Sequence, residues 1–207
     1  RDRLRSRGLG DVYKRQVYGF LNIMFKILDE EKPEYLTVTF DVHAPTFRHE
    51  MFADYKGTRK PMAEELRQQV PVIKDVLRAM HIEVIEKAGL EADDLLGTLS
   101  HRCEEKGMDV SIISGDRDTL QLATEHIKIR IPKTKQGKTE VEDYYAADVQ
   151  ERYGVTPKEF IDVKALMGDT ADNIPGVPGV GEKTATKIIQ QYLSLIHISE
   201  PTRPEPI

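Results

Sequence analysis

The sequence is short of several things, and each shortage closes off a class of protein. It has one cysteine, Cys103, so no internal disulfide can form and a reducing cytoplasm is the expected location. No apolar run is long enough to span a bilayer, and no apolar stretch of signal-peptide type follows the basic first residues. Tryptophan is absent, and internal repeats and low-complexity linkers are missing. His43, His49, His81, His101 and His126 are scattered without zinc spacing, and no Ser/His/Asp order marks a covalent nucleophile. Positive charge is also in deficit, with 30 Lys and Arg against 35 Asp and Glu.

The two ends read differently from the middle. GDVYKRQ at 10–16 and LSLIHISEPTRP at 193–204 resemble translated sequencing-adapter sequence, and neither continues the periodicity beside it. The expectation is therefore that 1–16 and 193–207 are foreign to the fold. Six basic and two acidic residues fall in the first stretch, one and two in the second, leaving 23 basic and 31 acidic residues between them. So acidic a chain would not bind nucleic acid by bulk charge. It would need local basic patches, and cations wherever acids meet phosphate.

What is present is an alternation of strand-like and helical segments. Helical spacing runs from Val17 to Glu31, and the β-branched and aromatic Tyr35–Phe40 reads as a strand. Pro61–Met80 reads as helical with a break at Pro71. A strand over Ile82–Ile85, a helix over Ala92–Glu105, a strand over Val110–Ser114, a short helix over Thr119–Ala123 and a strand over Ile127–Ile131 follow. This pattern predicts an α/β fold with a mostly parallel central sheet and flanking helices over 17–144. From Tyr145 the pattern is helical to Tyr192, with Thr156-Pro-Lys-Glu159 as a capping box.

Four segments concentrate carboxylates: Asp41 after YLTVTF; Glu91, Asp93 and Asp94 at the start of LLGTL; Asp116 and Asp118 in GDRD; Asp169 and Asp172 in MGDTADNIPG. Each has a plain structural duty open to it. First-turn acids complement a helix dipole, Asp118 could cap a short helix, and Asp169 and Asp172 could make Asx turns. Asp116 lacks so simple a duty. All four segments fall where strand ends and neighbouring helices of a parallel sheet would converge, and carboxylates crowded there would need cations. Oxygen-only donors suit Mg²⁺ or Mn²⁺, and two ions roughly 3.5–4 Å apart would activate a water and stabilise a leaving group.

Gly176-Val177-Pro178-Gly179-Val180-Gly181 lies between two predicted helices, where exposed backbone N–H groups could hold a phosphate. It is not a P-loop: Glu182 intrudes before Lys183 and Thr184, and a helix precedes it. Phe47–Lys60 interleaves Arg48, Lys56, Arg59 and Lys60 with Phe47, Phe52 and Tyr55, a mixture that suits single-stranded DNA. An exposed loop with a solvated charge run is the plainer alternative.

Taken in order, VYGFLNIMFKIL, PTFRHEMFADYKGTRK, EADD, GDRD and KALMGDTADNIPGVPGVGEKTA resemble the 5′-nuclease domain of bacterial DNA polymerase I, within the flap-endonuclease family. The resemblance covers 17–192. It implies a PIN-like nuclease and metal roles for all eight acids, served by two Mg²⁺ or Mn²⁺ ions. It implies an arch over about 43–70, in which Lys56 and Arg59 contact the scissile phosphate while Arg48, Tyr55 and Lys60 meet DNA. Residues 145–192 become a helix-hairpin-helix region gripping the duplex through Gly176, Val177, Gly179, Val180, Gly181, Lys183 and Thr184, with K⁺ as a possible ion. The implied activity is metal-dependent 5′-3′ exonuclease and flap endonuclease action on DNA 5′ ends, nicks and flaps in replication and repair. The implied setting is a monomer on the bacterial nucleoid whose parent chain continues into a polymerase, away from membranes. A non-catalytic DNA-structure-binding module and a stand-alone 5′-nuclease paralogue are the alternatives. Family members start with an earlier strand ending in Asp-Gly that supplies another metal ligand; here the match begins at Val17, so one ligand is expected to be missing.

Overall fold

The structure is a computed structural model that describes residues 2–135 and 138–196, with side chains over 17–133 and 140–196. The chain divides into two compact units, one of residues 1–46 and 60–95, the other of residues 47–59 and 96–207.

In the first unit, α1 (Asp2–Glu31) presents Met24 and Ile27 inward, at a spacing that puts them on one face. The sequence predicts this helix only from Val17, whereas it starts at Asp2. Short strands β1 (Thr37–Thr39) and β2 (Glu83–Ile85) pair in parallel, Thr37 opposite Glu83 and Thr39 opposite Ile85. The Phe40 N–H extends the ladder to the Ile85 carbonyl at 3.0 Å. Met24, Ile73 and Leu77 form the core, with Phe20, Leu21, Val38 and Val84 packed on it. The expected break at Pro71 lies instead at Gln68, between α3 (Glu64–Arg67) and α4 (Gln69–Ala79). Pro71 sits in the first turn of α4, where its missing N–H has no intrahelical acceptor to lose.

The second unit holds α2 (Phe47–Met51), the greater part of α5 (Ala92–Glu104), and a sheet in the order β3 (Val110–Ile113), β4 (Ile127–Lys135), β5 (Lys138–Tyr144). β3 and β4 are parallel; β4 and β5 form an antiparallel hairpin. A 3₁₀ turn (Arg117–Leu122) follows β3, and α6 (Ala146–Tyr153), α7 (Pro157–Met167) and α8 (Glu182–Tyr192) complete the unit. Ile112, Leu120, Ile127 and Ile129 join Val149, Phe160, Val163 and Ile189 in one core. The α/β class and the helical C-terminal region agree with expectation. The strands, however, are shared between two sheets, and β5 was not expected.

The capping box is present: the Thr156 N–H donates to Glu159 Oε2 at 2.8 Å, and the Glu159 N–H to Thr156 Oγ1 at 3.2 Å. Leu195 packs against the second core and its N–H donates to Asp162 at 3.2 Å. The foreign reading of 197–207 lies outside the described residues.

Candidate metal and nucleic-acid site

In the first unit, Asp41 stands just beyond β1, and its Oδ1 accepts the Ala92 N–H at 2.7 Å. The carboxylate thus ties the strand end to the first turn of α5. Asp94 Oδ2 accepts the Glu91 N–H at 2.9 Å, closing the helix start upon itself. Asp93 and Asp94 lie where the helix dipole favours negative charge. Asp41 and Asp94 thus each have a structural use at the N-terminal end of α5.

In the second unit, Asp116 rather than Asp118 caps the 3₁₀ turn, its Oδ1 accepting the Asp118 N–H at 2.9 Å. The duty sequence reasoning assigned to Asp118 therefore belongs to its neighbour. Asp118 is released to face Lys164, whose Nζ lies 3.0 Å from Asp118 and 3.1 Å from Asp169. Burial pushes the Asp118 carboxyl up, and Lys164 only partly offsets this. Asp169 moves the other way. Burial raises it, but Lys164 and the backbone N–H groups of Asp172 and Ala171 hold it below its ordinary value. Lys164 loses by burial and gains more from its two carboxylates, so its pKa rises.

The loop carrying Asp169 and Asp172 is closed by its own backbone. Asp169 and Ile174 exchange N–H···O bonds of 2.9 and 2.7 Å, and Asp169 Oδ1 accepts from Ala171 at 2.8 Å in the expected Asx turn. Gly168 and Gly176 cross so closely that a Cβ on Gly176 would lie 2.3 Å from the Met167 carbonyl carbon. Gly176 therefore has a packing reason to be glycine. Gly179, at φ +80°, makes the turn of the hairpin and faces open space. Gly181 caps α8, and Gly181, Lys183 and Thr184 are exposed, as is Val177, while Val180 is half-buried against the core.

The basic, aromatic segment docks on the same loop. Residues 53–58 form successive turns rather than a helix. The Tyr55 ring is buried, edge-on to His49 at 5.2 Å, and its hydroxyl donates to Asp172 Oδ2 at 3.1 Å. Arg59 pairs with Asp172 and donates from Nε to the Ala171 carbonyl at 3.2 Å. The Lys56 N–H donates to the Asp172 carbonyl at 2.8 Å, and its ammonium sits 4.9 Å over the Tyr55 ring. Arg48 lies over the Phe47 ring at 4.6 Å. Phe52, Asp54, Thr58, Thr170, Asn173, Ile174 and Pro175 line an open cleft of about 390 Å³ beside this contact. Lys60 is exposed and belongs to the first unit.

Among the described residues, no three His, Cys, Asp or Glu side chains stand close enough to enclose a metal ion. The donor chemistry nonetheless fits a hard divalent cation, being all carboxylate oxygen. In the second unit, cationic side chains already neutralise three of the four acids, Lys164 between Asp118 and Asp169, Arg59 on Asp172. Lys164 and Asn173 were missed by sequence reasoning. Their one signal was position, Lys164 in the last turn before an acid loop and Asn173 directly after Asp172.

Residues 6–154 match the model of the 5′-3′ exonuclease N-terminal resolvase-like domain, and 155–205 that of the 5′-3′ exonuclease C-terminal SAM fold. The chain belongs to the 5′-3′ exonuclease family. DNA polymerase I of Bacillus caldotenax is 48% identical over 181 residues, 87% of this exonuclease-family chain and 20% of that protein. The chain thus spans about a fifth of the length of the curated relatives it matches. A T5 5′-exonuclease structure with bound divalent zinc ions matches with a TM-score of 0.74 at 26% identity, covering 92% of this chain and 74% of that one. A bacteriophage T5 flap endonuclease in a pseudo-enzyme-product complex with DNA and metal ions matches with a TM-score of 0.74 at 25% identity, over 92% and 72%. No helix among the described residues of this exonuclease-family chain is long and apolar enough to cross a membrane.

Proposed function

We propose that this chain is a metal-dependent 5′-nuclease module acting on DNA 5′ ends, nicks and flaps in replication and repair, within a protein that continues into a polymerase. On this reading Asp41, Glu91, Asp93, Asp94, Asp116, Asp118, Asp169 and Asp172 serve as ligands to a pair of Mg²⁺ or Mn²⁺ ions. When bound, such ions supply the positive charge that an in-line attack of water on phosphorus requires. The new bond joins the water oxygen to phosphorus, the bond from phosphorus to the leaving oxygen breaks, and 5′-phosphorylated mono- or oligonucleotides leave. Lys56 and Arg59 bind and orient the scissile phosphate and stabilise its charge in the transition state. Arg48, Tyr55 and Lys60 meet the nucleic acid nearby. The hairpin from Gly176 to Gly181, with Lys183 and Thr184, holds the duplex backbone, with K⁺ as a further ion there.

One observation above all supports this reading: the turn bearing Lys56 and Arg59 is docked on the loop bearing Asp169 and Asp172, through the Arg59–Asp172 pair and the Lys56 N–H. On this reading the cations that meet phosphate and the acids that meet metal come from segments more than a hundred residues apart in sequence. A 5′-flap duplex incubated with the chain should be cut in Mg²⁺ and left intact in EDTA. Lys56→Ala and Arg59→Ala should each lower kcat by about a hundredfold, the effect of losing one transition-state donor. Flap binding with no Mg²⁺-dependent product would favour a binding module and sink the nuclease reading.

A further inference from the structure

Lys56 and Arg59 sit on a tight turn whose geometry is imposed from outside it. Lys56 has φ +55°, a left-handed conformation that a lysine adopts only under constraint. Gly57 donates its N–H to the Asp54 carbonyl at 2.9 Å, and a Cβ at Gly57 would lie 3.0 Å from that oxygen. The same carbonyl accepts a second bond, 2.8 Å long, from Asn173 Nδ2. One residue earlier, the Asp172 carbonyl accepts the Lys56 N–H at 2.8 Å. Two successive residues of the acid loop therefore hold two points of the turn, on either side of Tyr55.

Asn173 is suited to this task for two reasons. Its φ of +58° lies in the left-handed region, which asparagine tolerates better than most side chains. Its amide offers a donor to a carbonyl oxygen, which aspartate at the same place could not. We propose that Asn173 is a positioning residue: through Asp54 it fixes the turn so that Lys56 and Arg59 are set at the phosphate. The proposal rests on the nuclease reading for its catalytic consequence, whereas the holding of the turn can be measured apart from it.

The variants Asn173→Gly and Asn173→Asp both tolerate the left-handed backbone and both lack the donor, so the fold should survive. In flap cleavage at saturating Mg²⁺, each should lower kcat by about tenfold with KM within about twofold, the scale of one lost hydrogen bond. In a Lys56→Ala/Arg59→Ala background the same substitutions should change kcat by less than about twofold, because the residues through which Asn173 acts are gone. An equal loss in both backgrounds would overturn the proposal. The second readout needs neither metal nor DNA. Amide exchange at Lys56 and Gly57 should quicken about fivefold or more in Asn173→Gly, and unchanged exchange would also overturn it. If the unsubstituted chain cuts no flap at all, the nuclease reading fails, and exchange alone decides whether Asn173 holds the turn.

Discussion

Lys164 shows what a single charge does among acids. Its ammonium bridges Asp118 and Asp169, and the two carboxylates respond in opposite directions, since burial wins at Asp118 and hydrogen bonding wins at Asp169. Lys164→Met should leave two close carboxylates without a counter-charge. With the Asp118 side chain 38% exposed, solvent screens much of that, and the expected cost in metal-free buffer is about 1 kcal/mol by urea denaturation. Added Mg²⁺ should narrow the difference. Glu142 offers a separate pH test. Bonds from Lys133 and Tyr144 hold its carboxyl down at about 2. A depressed native pKa gives stability that is present above the ordinary carboxylate range and is lost as pH falls from about 4.5 toward 2. Glu142→Gln should therefore flatten the melting temperature over that interval and leave the slope above it unchanged. Residue identities were legible in the sequence at this scale, and partnerships were not. The eight acids could be picked out, but that Asp118 faces Lys164 and Asp172 holds Arg59 depends on segments meeting across the chain, while the Asp116 cap is a local choice between two neighbouring carboxylates.

Elements with strong local signals behave as their residues dictate. The α7 capping box is complete, so Thr156→Ala should cost about 1 kcal/mol in thermal or chemical unfolding. Gly176→Ala is a harsher change. Its Cβ would strike the Met167 backbone at 2.3 Å, which cannot rotate aside as a side chain could. The loop of Asp169 and Asp172 must then open, and the loss should exceed about 3 kcal/mol, visible as an early melting transition. β5 marks where local signals fail. Lys138–Tyr144 is a run of charges around Val141, and the strand read from the sequence stops at Ile131, before Pro132. β4 nevertheless continues to Lys135, with Pro132 opposite Val141. β3 pairs only with Ile127–Arg130, so at Pro132 the ladder is needed on one side alone. The alternation of strands and helices predicts parallel pairing, which is present, but does not say how many sheets share the strands, and among the described residues there are two.

At the scale of the whole molecule, the net charge of −5 sets the terms on which the proposed nuclease module would bind DNA. General attraction is excluded, so affinity must come from a few cations and from backbone donors, two sources that differ in their response to salt. Each phosphate neutralised by a side-chain cation releases counterions and steepens the fall of binding with salt, whereas an uncharged N–H releases few. Lys183 is an exposed cation at the start of α8, beside Gly181. In metal-free titrations of duplex DNA against KCl, Lys183→Ala should reduce the slope of log K against log salt by about 1. Gly179→Ala should act differently. Nothing lies within 4 Å of the added Cβ, but φ +80° is strained for alanine, so the hairpin N–H groups would be misaimed without loss of charge. Its binding curves should fall by a similar factor at every salt concentration and keep the original slope. If both variants shift the slope alike, the hairpin contributes through local potential alone. If only Lys183→Ala does, the glycines and the lysine grip the backbone by separate physical means, and an acidic chain holds DNA through the geometry of one turn.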